Sequence, residues 1–132
     1  MTSIRKSVLL AEPEMCLQAV IGTRLRENSY ELHCLKDGSD ALEQVQIQRP
    51  DILIAECQLP GCSGTELACR LRQIPSFSEL PIVLLSNPGY TAALPMRLLS
   101  DNIQLLEKPF RLAELLAIVA EYTENPQLAA AN

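Results

Sequence analysis

A chain of 132 residues, 48% hydrophobic and 20% charged, has the composition of one globular domain rather than a disordered segment. A formal net charge of −5 argues against direct nucleic-acid binding, which needs a basic face to meet phosphates. Trp is absent and aromatic residues make up only 4%, so the core has to be aliphatic.

Near the N-terminus, Arg5 and Lys6 precede the apolar run Val8–Ala11. That run is too short for a secretory leader and meets Glu12-Pro13-Glu14 at once. It predicts a first strand. Leu17, Val20, Ile21 and Leu25 follow at helical spacing. Tyr30–Leu35 is extended in character, and Asp37-Gly38-Ser39 opens a second helix marked by Ala41, Leu42 and Val45. Asp51 leads into a third strand, Ile52–Ala55. Ser63-Gly64-Thr65-Glu66 fits a capping box, with Leu67, Ala68 and Leu71 continuing the helix it starts. Ile82–Leu85 and Ile103–Leu106 predict the fourth and fifth strands. Between them Asn87-Pro88-Gly89 breaks the chain and Pro95 interrupts the expected fourth helix, which must be short or irregular. Leu112, Leu115, Leu116 and Val119 line a last helix. The expected domain covers residues 1–122, with a flexible tail over 123–132.

Strand–helix alternation with near-continuous apolar strands predicts a doubly wound parallel α/β sheet, covered by helices on both faces. No apolar run approaches membrane-spanning length. The cysteines (Cys16, Cys34, Cys57, Cys62 and Cys69) are odd in number and form no C-x-x-C pair, which disfavours a disulfide framework or zinc site. Reduced thiols and a cytoplasmic location are the expectation. His33 reads as an ordinary strand residue, because no second metal ligand lies in sequence range.

Ligands of open α/β sheets bind at the carboxyl ends of the strands. Here Glu12, Glu56, Ser86 and Lys108 each follow a strand and so share one sheet edge. In the order 2-1-3-4-5, Glu12 and Glu56 become neighbours with Lys108 in reach. Two adjacent carboxylates need a cation between them, either a bound metal or Lys108.

With those residues placed, the sequence resembles the receiver domain of two-component response regulators. The stretches that carry the resemblance are Pro50–Glu56, Leu59-Pro60-Gly61-Cys62-Ser63-Gly64, Pro81–Ser86 and Lys108-Pro109-Phe110. It implies the flavodoxin-like order 2-1-3-4-5 and a role in phosphorelay signalling. It also implies an acceptor at Glu56, Mg²⁺ at Glu12, Glu56 and the Gln58 carbonyl, a phosphate site at Ser86 and Lys108, a switch position at Leu105 and a cis Lys108-Pro109 peptide.

The departures sit at the chemistry. The acceptor slot holds Glu rather than Asp, Pro13 replaces the second acid of the pair after strand one, and Leu105 stands where the family has an aromatic. A weakened or absent Mg²⁺ site is expected, and with it a degenerate receiver that is not an enzyme. Such a domain acts through protein partners (a histidine kinase, an output protein or a second copy), without nucleic acid or membrane. The alternatives are a phosphorylatable regulator with a weakened metal site, or a thiol sensor built on Cys57 and Cys62.

Overall fold

The structure, a computed structural model, describes residues 5–89 and 102–123. Five strands, β1 (Ser7–Ala11), β2 (Glu31–Leu35), β3 (Ile52–Glu56), β4 (Ile82–Ser86) and β5 (Ile103–Glu107), form one parallel sheet. Their order is β2-β1-β3-β4-β5, as the receiver resemblance implied. Helices α1 (Met15–Glu27), α2 (Gly38–Gln48), α3 (Gly64–Arg72) and α4 (Leu112–Thr123) cover it. The expected break near Pro95 falls in residues 90–101, outside the described residues, as does the expected tail over 123–132 except for Thr123, which instead is the buried last residue of α4.

Strand position explains strand composition. β3 and β4 are buried at every residue, and β1 at all but Ser7. Edge strands β2 and β5 are only partly covered, so their sequences are more mixed. Because side chains alternate along a strand, each central strand feeds two cores. Leu9, Leu53, Leu84 and their alternates pack with Ala41 and Val45 of α2 and with Leu67, Ala68 and Leu71 of α3. Val8, Leu10, Ile52, Ile54, Val83 and Leu85 pack on the other face with Ile21 and Leu25 of α1 and with Leu115, Leu116 and Val119 of α4. Fully burying one such aliphatic side chain contributes about 1.5–3 kcal/mol.

Three local expectations change. Val20 is exposed, and Gly22 takes its place on the buried side of α1, where a Cβ would meet Leu32 Cδ2 at 3.0 Å. Tyr30 precedes β2 rather than starting it, and its hydroxyl is 2.9 Å from Thr123 Oγ1 at the end of α4. The capping box at α3 is half made. Ser63 Oγ accepts from the Glu66 N–H, while the Glu66 carboxylate turns to Arg70 at 2.7 Å.

Candidate functional site

The sheet register assembles the site. Ala11 pairs with Ala55, so the next residues on the two strands, Glu12 and Glu56, emerge side by side. Glu56 is the last residue of β3, one position further into the strand than the sequence suggested, and Ser86 likewise ends β4. β5 lies two strands from β3, about 10 Å away at ordinary strand spacing. The long Lys108 side chain crosses that gap. Its backbone N–H bonds the Ser86 carbonyl at 2.7 Å, which fixes where the stem starts. Its Nζ reaches Glu56 Oε1 at 2.6 Å and Glu12 Oε1 at 3.4 Å. The Lys108–Pro109 peptide is cis.

Burial sets the electrostatics. The Glu12 carboxyl is pushed above the usual carboxylate range, chiefly by burial and further by Glu56. The Glu14 N–H, which donates to Glu12 Oε2 at 3.0 Å, and the Lys108 charge oppose that rise. Burial acts on Lys108 to lower its pKa, but the hydrogen bond to Glu56 and the fields of both carboxylates outweigh it, so the ammonium is held more firmly than usual. A pair this buried adds little net stability, because desolvation offsets the attraction, yet removing one partner is costly.

The other residues fall as follows. Ser86 is fully buried, and its Oγ has no hydrogen-bond partner among the described residues. Glu14 is spent on structure: its carboxylate accepts from the Cys16 and Leu17 N–H groups and caps α1. Leu105 packs, half-buried, against the α2–α3 core. His33 stays on the edge strand, 3.5 Å from Glu31. Burial pushes the Cys57 thiol up to about 12, with the Glu56 charge adding to the effect. Cys62 is pushed up as well, again mainly by burial. Thiols that stay protonated at neutral pH are poor nucleophiles, so the geometry gives the thiol-sensor reading no support.

One contact was missed from sequence. Gln58, considered only for its carbonyl, accepts from Asn87 Nδ2 at 2.7 Å through its side-chain oxygen. Two amide residues just beyond adjacent strand ends are the pattern that could have revealed it.

The sequence pattern of the response regulator receiver domain matches residues 8–120. The chain belongs to this family. It is 33% identical over 112 residues to the phosphate regulon transcriptional regulatory protein PhoB of Rhizobium meliloti (strain 1021). That match takes in 85% of this chain and 49% of the relative, so the receiver spans about half the length of the curated relative it matches. Among solved structures, the receiver domain of sensor histidine kinase PA1611 from Pseudomonas aeruginosa PAO1 superposes with a TM-score of 0.80 at 26% identity, over 92% of this chain and 100% of that one. That structure carries a magnesium ion coordinated in its active-site cleft. The receiver domain of Francisella response regulator 1452 shares the fold, with a TM-score of 0.81 at 24% identity over 92% of this chain and 99% of that one. This chain is therefore a receiver domain of two-component signalling, a signalling module with the flavodoxin-like fold. No helix among the described residues is long and apolar enough to cross a membrane.

Proposed function

We propose that this receiver is degenerate: it works as a protein-interaction module without taking phosphate, and Glu56 is a fixed negative charge rather than an acceptor. The observation that carries this reading is the Lys108 ammonium, 2.6 Å from Glu56 and 3.4 Å from Glu12. It stands between the two carboxylates on which a metal would depend. Magnesium demands near-octahedral oxygen coordination at about 2.0–2.1 Å. Pro13 offers no side-chain oxygen, the Glu14 carboxylate is committed to the α1 cap, and no trio of His, Cys, Asp or Glu among the described residues is placed to hold a metal. These residues do not fit the ion. In-line phosphoryl transfer depends on positioning, and a nucleophile one methylene longer, already bonded to lysine, is badly placed for it.

A single carboxylate charge also falls short of the −1.5 to −2 of a phosphoryl group, so Glu56 imitates the phosphorylated form only in part. Leu105 has no hydroxyl or ring with which to relay a change at Ser86. The domain is thus read as one that no longer switches, with a histidine kinase or an output protein as its partner.

The test is incubation of the chain with acetyl phosphate and Mg²⁺, followed by mass spectrometry, alongside NMR titration with Mg²⁺ and with beryllofluoride. No phosphate at Glu56 and flat titrations are expected, while the double variant P13D/E56D should gain Mg²⁺-dependent shifts near Glu12. Phosphate mapped to Glu56 of the unaltered chain rejects the proposal. The orphaned Ser86 hydroxyl favours the second reading, a weakened but working phosphate site. Beryllofluoride-induced shifts at Ser86 and Lys108 would establish that reading instead.

A further inference from the structure

Glu12 is the buried carboxylate whose place the ion pair leaves open. Lys108 touches it at 3.4 Å, against 2.6 Å for Glu56, and a long flexible stem follows its partners rather than placing them. The ties that do place Glu12 come from the opposite side, from β2 and α1. Its N–H donates to the carbonyl of Leu35, the last residue of β2, at 3.0 Å. Its Oε2 accepts from the Glu14 N–H at 3.0 Å. Its carbonyl accepts from Gln18 Nε2, also at 3.0 Å.

Gln18 has the chemistry and the station for this task. A side-chain amide carries a pair of donors on one nitrogen. Here Nε2 donates to the Glu12 carbonyl and, at 3.1 Å, to the Leu35 carbonyl, so a single group spans the ends of β1 and β2. The register of those strands ends at Ala11 and Leu35, and backbone pairing beyond it reaches only the Glu12 N–H. Pro13, next in the chain, has no N–H to add. Gln18 is itself held in place: it is half-buried, and its backbone N–H donates to the Glu14 carbonyl at 3.0 Å in the first turn of α1. Helix α1 thus grips Glu12 at the carboxylate through Glu14 and at the carbonyl through Gln18.

We infer that Gln18 is a positioning residue: by tying the Glu12 backbone to β2 and α1, it holds the Glu12 carboxylate where the Lys108 ammonium meets it together with Glu56. Those ties hold Glu12 whether or not Glu56 ever takes phosphate, so the role is independent of the degeneracy proposed above.

Q18M keeps the length of the side chain and removes both donors. Urea unfolding of the full chain compares it in two backgrounds, wild type and K108M. In wild type, Q18M should raise the unfolding equilibrium constant by about ten- to a hundredfold, the net worth of two neutral hydrogen bonds. In K108M no ammonium is left for Glu12 to meet, so the same substitution should raise the constant by a factor at least about threefold smaller. A plain tie between strands would cost the same factor in both backgrounds, and a difference under about threefold overturns the positioning role. E12Q, which removes the charge from the other partner, takes the place of K108M if that variant does not fold. The coupling is read a second time with Gln18 untouched. Its side-chain amide protons, followed by NMR, should shift between wild type and K108M or E12Q; unmoved, they overturn the role as well. This second readout decides alone if Q18M does not fold.

Discussion

Replacing Lys108 by Met keeps most of the apolar stem and deletes the charge. Glu12 and Glu56 then remain side by side, their side chains only 1% and 6% exposed, with no cation between them. Breaking a fully buried pair costs about 3–5 kcal/mol. Lys108 is itself 22% exposed, so water can partly replace it and the lower end applies. Proton uptake sets a ceiling: protonating one carboxylate of ordinary pKa 4.5 at pH 7 costs about 3.4 kcal/mol. K108M should therefore lose about 2–3 kcal/mol at pH 7 in urea unfolding, with an unchanged m-value. Glu12 is the group to take the proton, since burial already raises its pKa. A carboxyl whose folded pKa is raised binds more protons in the native state than in the unfolded one, so stability rises as pH falls. The K108M deficit should accordingly shrink between pH 7 and pH 5. A loss under about 0.5 kcal/mol at pH 7, or a deficit that stays constant across that window, would refute the view that Lys108 neutralises a buried pair.

Wild-type stability should also fall at high pH. The raised folded pKa of Lys108 means its contribution is fully present below 10.5 and is lost as pH rises through the folded value. Tyr122, raised from 10.0 by burial and by Glu121, acts with the same sign. The Lys108 share is therefore read as the difference between wild type and K108M in urea unfolding between pH 9 and pH 11.5. G38A should cost about 3 kcal/mol or more by the same method, because the added Cβ would lie 1.6 Å from the Cys62 carbonyl oxygen and force α2 off the loop that frames the site. D37A removes the side chain that accepts from the Ser39 and Asp40 N–H groups at the start of α2, and should lower stability by about 1 kcal/mol. Y30F deletes the bond to Thr123 but leaves Thr123 Oγ1 donating to the Val119 carbonyl; about 1 kcal/mol should be lost in thermal or urea unfolding.

The sequence by itself determined the layered architecture. Runs such as Ile52–Ala55 and Ile82–Leu85 are tolerated only where helices cover both faces of a strand, and strand ends in a parallel sheet share one edge. That logic placed Glu12, Glu56, Ser86 and Lys108 on one sheet edge, while the strand order that makes Glu12 and Glu56 neighbours came from the family resemblance, and the departures from the family pattern at Pro13 and Glu56 were legible as residues. Strand limits were readable only to within a residue, because the residue that ends a ladder is chosen by its partner strand, as Leu85 does for Glu56. Which polar groups pair was beyond sequence altogether. Glu14 could have faced the cleft, but the N-terminus of α1 claimed its carboxylate. Lys108 could have stayed in solvent, but its stem starts where the Ser86 carbonyl holds it and reaches two strands over to Glu56. Gln58 and Asn87 are 29 residues apart and meet only because β3 and β4 are neighbours. Hydropathy patterns record which side of an element is buried. Distances between side chains from separate strands exist only once the sheet has set its register.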